Sequence, residues 1–277
     1  MYLKTKKQTY DLNARTYIMG ILNTTPDSFS DGGRFNSLDS AVEQAVKMEA
    51  EGADIIDIGG ESTRPGHTPL SATEELERIL PVIEAVEKNV SIPISVDTYK
   101  AETAKQVLKN GADIINDIWG AKFDPKMAEV VAEHDAPIIL MHNRDNMNYT
   151  NLINDMKQDL QESVDIARSK GINKERIILD PGIGFAKTMQ DNLFAMKHLE
   201  EFHELGYPIL LGTSRKRFVG TILDEPVADK RDIGTGATTC LGITKGCQII
   251  RVHNVKANVE LRKMMDAMLQ AEEEVRS

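Results

Sequence analysis

The sequence predicts a (β/α)8 TIM barrel, an α/β fold of eight parallel strands alternating with helices. Three observations predict it. The chain has 277 residues, close to the roughly 250 typical of one such barrel. Eight short apolar runs recur along it with helical stretches between them, and strand followed by helix, repeated, is the local grammar of a parallel sheet. Every run also ends near groups able to hydrogen-bond or carry charge, the place where a barrel keeps its chemistry. A doubly wound open sheet shares the same grammar, so the count of eight carries the distinction.

Residues 1–16 precede the first run and are expected to cap the bottom of the barrel. Strands are expected at 17–23, 54–58, 92–97, 113–118, 137–141, 176–180, 208–212 and 248–252. Each is rich in Ile, Leu and Val with little polar alternation, as in strands buried on both faces. Between them lie helix start and stop signals. Ser71 and Glu74 make a capping box, Asp124-Pro125 opens the helix after residue 125, and Gly52, Gly111 and Gly171 sit where helices should end. With no linker, low-complexity tract or repeat beyond the βα unit, one domain over 1–277 is expected.

Composition narrows the function. Hydrophobic residues make up 41% and charged residues 27%, an ordinary globular balance, and no run approaches the 18 or so apolar residues of a membrane span. The N-terminal MYLKTKKQTYDLN has lysines but no apolar stretch behind them, so no signal peptide and a cytoplasmic location are expected. Net charge is -10 with Lys and Arg scattered, which argues against nucleic acid as a partner. An anionic substrate would then need a locally positive site. Cys240 and Cys247 fall in a segment that reads as helix, about 10 Å apart and beyond disulfide reach, and are expected to be packing residues.

The strand ends carry the chemistry. In order they offer Asn23, Glu61 to Arg64, Asp97, Asn116 with Asp117, His142 with Asn143, Asp180, Ser214-Arg215-Lys216, and Arg251 with His253. A solvated strand end explains any one of them as well as a site does; eight together imply a pocket. Asp97, Asn116 and Asp180 suit a flat heterocycle with a guanidine-like edge, because a carboxylate matches two adjacent N–H donors. Buried carboxylates need a partner, either Lys216 or the ligand itself. Arg64, Arg251 and His253 form a candidate anion-binding set. Asn23 offers one neutral oxygen, a reasonable Mg²⁺ ligand when diphosphate and water fill the other positions, although a turn-forming Asn explains it equally. His142 has no second His or Cys at ligand spacing, so no metal is expected there. Two long connections, TTPDSFSDGGRFN and ESTRPGHTPL, suit lids over the active face, with Phe29, Asp31 and Arg64 able to stack on or polarise a second substrate. Phe29 could equally be a plug holding its loop down.

NTTPDSFSDGG, IDIGGESTRPG, ISVDT, INDI, MHNR, ILDPGIGFAKT, GTSRKRFVG and IIRVHNV together resemble the dihydropteroate synthases, in order from residue 23 to 255. The resemblance implies condensation of 6-hydroxymethyl-7,8-dihydropterin diphosphate with p-aminobenzoate to give 7,8-dihydropteroate and diphosphate, a sulfonamide-inhibited step of folate synthesis. It implies a pterin site of Asp97, Asn116, Asp180 and Lys216 walled by Ile118, Met141 and Phe185. It implies that Asn23 (through Mg²⁺), Thr63, Arg64, Arg251 and His253 hold the diphosphate. The p-aminobenzoate side would comprise Phe29, Thr63, Arg64, Pro65, Ser214 and Arg217, with Asp31 beside the reaction. Asp97, Asp180, Lys216, Arg251 and Asp31 would act in an SN1-like transfer without a covalent enzyme intermediate. One departure is Arg217, where many relatives have Ser after the Lys of the SRK triplet. The resemblance also implies a homodimer, with the last helix, around ANVELRKMMDAMLQ and its Met265 and Met268, as a candidate surface. Two other classes share the barrel: a pterin-binding methyltransferase module passing a methyl group from a folate to a corrinoid protein, and a noncatalytic barrel that binds pterin or serves as a scaffold. NTTPDSFSDGG and the pairing of SRK with RVH favour the synthase, since the methyltransferase needs no diphosphate site.

Overall fold

The computed structural model describes residues 1–24, 34–61 and 69–271, with the backbone alone for 34–37. A hairpin of β1 (Tyr2–Lys4) and β2 (Thr9–Asp11) precedes eight strands: β3 (Tyr17–Asn23), β4 (Ile55–Gly59), β5 (Ile94–Asp97), β6 (Ile114–Asp117), β7 (Ile138–Met141), β8 (Ile177–Asp180), β9 (Leu210–Leu211) and β10 (Ile249–Val252). They run in the order β8-β7-β6-β5-β4-β3-β10-β9, every neighbouring pair parallel. A parallel bridge from Leu179 to Ile209 joins the two ends. The eight expected strands are therefore present and the sheet closes on itself. Around it lie α1 (Arg34–Ala50), α2 (Ala72–Glu87), α3 (Ala101–Lys109), α4 (Met127–Glu133), α5 (Leu152–Ser169), α6 (Met189–Lys197), α7 (Arg217–Ile222), α8 (Asp232–Thr244) and α9 (Val255–Leu269). Among the described residues no helix is long and apolar enough to cross a membrane.

The period-2 pleat sorts each strand. Ile18, Ile56, Ile58, Ile94, Val96, Ile115, Ile138, Leu140, Ile177, Leu179, Leu211, Ile250 and Val252 belong to one buried cluster with apolar residues of the surrounding helices. Their neighbours Met19, Ile55, Ile114, Ile139, Ile178, Leu210 and Ile249 form a second cluster inside the barrel, joined by Leu3, Tyr10 and Leu12 of the hairpin region. Two residues further along each strand, on that same inner face, stand Ile21, Asp57, Asn116, Met141, Asp180, Gly212 and Arg251. The lower interior is thus apolar but for Ser95 of β5, level with Ile114, and the charged residues start one layer above it.

Local chemistry sets the element ends. Ser71 and Glu74 complete a capping box at α2, and Gly52, Gly111 and Gly171 stop helices at φ of +98°, +107° and +92°, where glycine carries no Cβ penalty. Strand β9 is shorter than expected. Pro208 has no amide proton, and Ile209 N donates to the Gln248 side chain at 2.7 Å instead of to a strand. One further expectation is corrected. Cys247 lies past the end of α8 rather than within a helix, although both cysteines are free. Met265 of α9 packs against the core, whereas Met264, Met268 and Leu269 are exposed.

Candidate active site at the C-terminal end of the barrel

Four polar residues on the inner face form one connected network. Arg251 donates from Nε to Asp57 Oδ2 at 2.6 Å and from Nη2 to Asp97 Oδ2 at 3.0 Å, and Asn116 Nδ2 donates to Asp57 Oδ2 at 3.1 Å. Strand register makes this geometry, since Gly59 of β4 is level with Asp97 of β5, and Asp97 with Asn116 of β6. Asp57 has no exposed surface, so its charge is tolerable only because a cation lies against it. Burial raises the Asp97 carboxyl to about 7, against the pull of the Arg251 guanidinium. Burial works against the Arg251 cation too, but Asp57 and Asp97 outweigh it and hold its pKa above the ordinary value. Arg251, expected among the anion binders, therefore has two of its nitrogens committed to carboxylates. Among the described residues Asp57 Oδ1 is buried without a hydrogen bond, so the network is one N–H donor short.

A second group faces it from β8 and the loops beyond β8 and β9. Asp180 ends β8 and accepts from Gly182 N at 2.7 Å. Burial raises its carboxyl, and the Lys216 ammonium counters that most strongly. Lys216 donates to Ile183 O and sits 4.7 Å above the centroid of the Phe185 ring. Burial lowers its pKa to about 8, opposed by Asp180. An apolar wall of Tyr99, Ile118 and Met141, with Trp119 and Phe185 packed against it, completes this side. The expected wall residues Ile118, Met141 and Phe185 are thus brought together, with Tyr99 and Trp119 added. Together these residues offer acids and an amide, aromatic and aliphatic surfaces, and the two cations Lys216 and Arg251. The set is complementary to a flat, donor-rich ring.

Other strand-end residues are placed variously. Asn23 ends β3 exposed. Ser214 Oγ and His253 Nδ1 lie 2.8 Å apart, and Ser214 Oγ accepts from His253 N at 3.1 Å. Arg217 is exposed in the first turn of α7. Asp117 turns away and accepts from Trp119 N and Ala121 N, both at 2.8 Å. Arg215, at φ +58°, is bound to Asp229 and Asp232. Phe29, Asp31, Thr63, Arg64 and Pro65 lie outside the described residues. Glu61, just before 62–68, accepts from Tyr99 Oη at 2.8 Å, Lys100 Nζ at 2.5 Å and Leu70 N at 3.2 Å. Among the described residues no group of three His, Cys, Asp or Glu could hold a metal ion. Asn23 offers a hard oxygen donor, so Mg²⁺ fits here only as an ion shared with an anionic ligand that fills most of its coordination.

His142 also turns away, with Nε2 3.0 Å from Asp159 Oδ2 and Nδ1 2.9 Å from Lys187 Nζ. Burial, resisted by Asp159, lowers its pKa to about 4, against roughly 6.5 for the free residue. The unfolded chain therefore binds this proton before the folded one does, and stability falls as pH drops from about 6.5 towards 4. The slope is at most about 1.4 kcal/mol per pH unit. His142→Gln is expected to remove this part of the pH dependence, read as the difference between wild-type and variant urea midpoints at pH 7 and pH 5. Parallel pH dependence in the two proteins would contradict it.

Residues 19–253 match the model of the family described as pterin binding enzyme. The chain is 59% identical over 267 residues to the dihydropteroate synthase of Bacillus subtilis, covering 96% of this chain and 93% of that relative. It is 52% identical over 268 residues to that of Clostridium beijerinckii, covering 96% and 99%. Among solved structures, it superposes on a Clostridium difficile dihydropteroate synthase crystallised in the presence of pteroic acid with a TM-score of 0.92, 50% identity and coverage of 95% and 100%. A Xanthomonas albilineans dihydropteroate synthase with 4-aminobenzoic acid gives 0.93, 37% identity and coverage of 98% and 99%. With that identity sustained across almost the full length of both chains, the chain belongs to the dihydropteroate synthase family.

Proposed function

We propose that this protein, working in the cytoplasm, condenses 6-hydroxymethyl-7,8-dihydropterin diphosphate with p-aminobenzoate to give 7,8-dihydropteroate and diphosphate. The carrying observation is the connected set of Asp57, Asp97, Asn116 and Arg251 facing Asp180 and Lys216 beside an apolar wall. Relatives crystallised with pteroic acid and with 4-aminobenzoic acid support the two substrates.

In this reading Asp97, Asn116 and Asp180 take the N–H edge of the pterin, Lys216 its acceptor side, and Ile118, Met141 and Phe185 clamp the ring faces. Asn23, Arg251 and His253 hold the diphosphate, with Thr63 and Arg64 from the second long loop. Mg²⁺, shared between Asn23 and the diphosphate, would neutralise negative charge on the leaving group. The bond from the pterin methylene to oxygen breaks with its electron pair going to diphosphate. The cation left behind is delocalised into the ring, and Asp97 and Asp180 place negative charge where that cation develops. The arylamine nitrogen then attacks the methylene and loses a proton. Phe29, Asp31, Thr63, Arg64, Pro65, Ser214 and Arg217 form the p-aminobenzoate side. Incubation with both substrates and Mg²⁺ is expected to give a product with the mass of 7,8-dihydropteroate and, at every time point, protein of unmodified mass. A pterin attached covalently to the chain would contradict the SN1-like route. A homodimer belongs to the same reading, and a sedimentation mass of one chain would contradict it. One domain over 1–277 is likewise proposed, and cooperative unfolding in a single transition is the expected result.

A further inference from the structure

Behind the loop that carries Phe185 lies a buried polar cluster that the proposed reaction does not use. The loop, residues 181–187 between β8 and α6, turns through Gly182 at φ +64°, Gly184 at +94° and Ala186 at +46°. A non-glycine residue holds a positive φ only where its surroundings impose it. Side chains impose it here, group by group. Gly182 N donates to Asp180 Oδ1 at 2.7 Å and Gly184 N to Asn192 Oδ1 at 2.6 Å. Ile183 O accepts from Lys216, and Ala186 O accepts from Tyr149 Oη at 2.8 Å.

Lys187 supplies the remaining pins from behind. Its Nζ donates to Gly182 O at 3.0 Å and to Phe185 O at 3.1 Å, and lies 2.9 Å from His142 Nδ1. Burial lowers the Lys187 pKa to about 7; in its ammonium form it has three protons and no acceptor, and His142 Nδ1 is then the acceptor. The ring proton is then on Nε2, which donates to Asp159 Oδ2 at 3.0 Å, and Arg144 closes the chain on the same oxygen. Lys187 is 8% exposed, and its Nζ has three protein partners, so the ammonium form leaves no proton for a ligand.

We propose that Lys187 is a positioning residue for the pterin pocket, oriented by His142 and Asp159, which locks the 182–185 backbone that presents the Phe185 ring and the Ile183 carbonyl to Lys216. The proposal rests on the pterin reading of that pocket. Charge-assisted bonds to two carbonyls fix a loop whose displacement would move one ring face of the site and release Lys216 together. Preorganisation of that kind is read in pterin affinity rather than in overall stability.

The test compares wild type, Lys187→Met, which keeps the length of the side chain without its donors, and Tyr149→Phe, which removes one peripheral pin. Lys187→Met is expected to raise the KM for pterin diphosphate about tenfold, with pterin affinity by calorimetry falling in step, while the KM for p-aminobenzoate stays within about twofold. Tyr149→Phe is expected to shift the same way by about threefold. A folded Lys187→Met that binds pterin as the wild type does, or in which both KM values move equally, overturns the proposal. If Lys187→Met fails to fold, an unchanged pterin KM in Tyr149→Phe overturns it. A wild type that binds pterin but makes no dihydropteroate overturns the functional reading alone, and the calorimetric comparison still decides the role of Lys187.

Discussion

Replacing Arg251 with Met is expected to cost the folded protein about 3–5 kcal/mol at pH 8 and to abolish dihydropteroate formation. The guanidinium, 18% exposed, lies 2.6 Å from Asp57 and 3.0 Å from Asp97, whose side chains are 0% and 9% exposed. Methionine fills much of the same volume but leaves two buried carboxylates facing each other with no cation between them. Like charges at that range cannot both persist, so one acid takes up a proton in the folded state. Its folded pKa then lies above the unfolded value, the folded chain binds more protons in that window, and stability falls as pH rises through it. The variant should therefore regain much of its loss between pH 8 and pH 5. Adding Asp97→Asn should restore part of it at pH 8, because one of the unpaired charges is gone. Urea unfolding at the two pH values reads both effects. A single variant as stable as wild type at pH 8 would show that the network is not an ionic support.

Gly182→Ala is expected to destabilise the protein by about 3 kcal/mol and to weaken pterin binding by tenfold or more. A left-handed backbone costs an L side chain about 1–2 kcal/mol, and the new Cβ would lie 2.0 Å from the backbone oxygen of His142. Backbone on both sides of that overlap has to move, and with it the amide that Asp180 accepts. Gly171→Ala is the control. Its φ of +92° is also positive, but nothing lies within 4 Å of the added Cβ, so only the conformational cost, about 1–2 kcal/mol, applies and pterin affinity is unchanged. Equal losses in the two variants, by thermal unfolding and by calorimetry, would contradict the assignment of the larger cost to the overlap.

The barrel was legible because its strands are unbroken apolar runs, and such runs survive any detail of packing. The most shortened strand, β9, depended on the Gln248 side chain taking Ile209 N, a tertiary event with no local signal. The strand-end rule located Asp97, Asn116, Asp180, Lys216 and Arg251, and the structure brings all five to one end of the barrel. Asp57 escaped it by standing inside a strand rather than at its end. A lone aspartate within IIDIG, two residues beyond the inward Ile55, was nevertheless a signal: a charge at an inner position of an otherwise apolar strand needs a buried partner. Arg251 looked like an anion binder because its partners come from strands 194 and 154 residues away in sequence. Lys187 escaped for the same reason, since its meaning depends on His142, 45 residues earlier.

Catalysis is read by diphosphate release from pterin diphosphate and Mg²⁺, with and without p-aminobenzoate, in wild type and Lys216→Ala. Release is expected to depend on p-aminobenzoate, to match dihydropteroate formed mole for mole, and to fall about a hundredfold in the variant, as loss of a charge-assisted contact in a closed site requires. Pterin bound without any release of diphosphate in the wild type would contradict the proposed reaction.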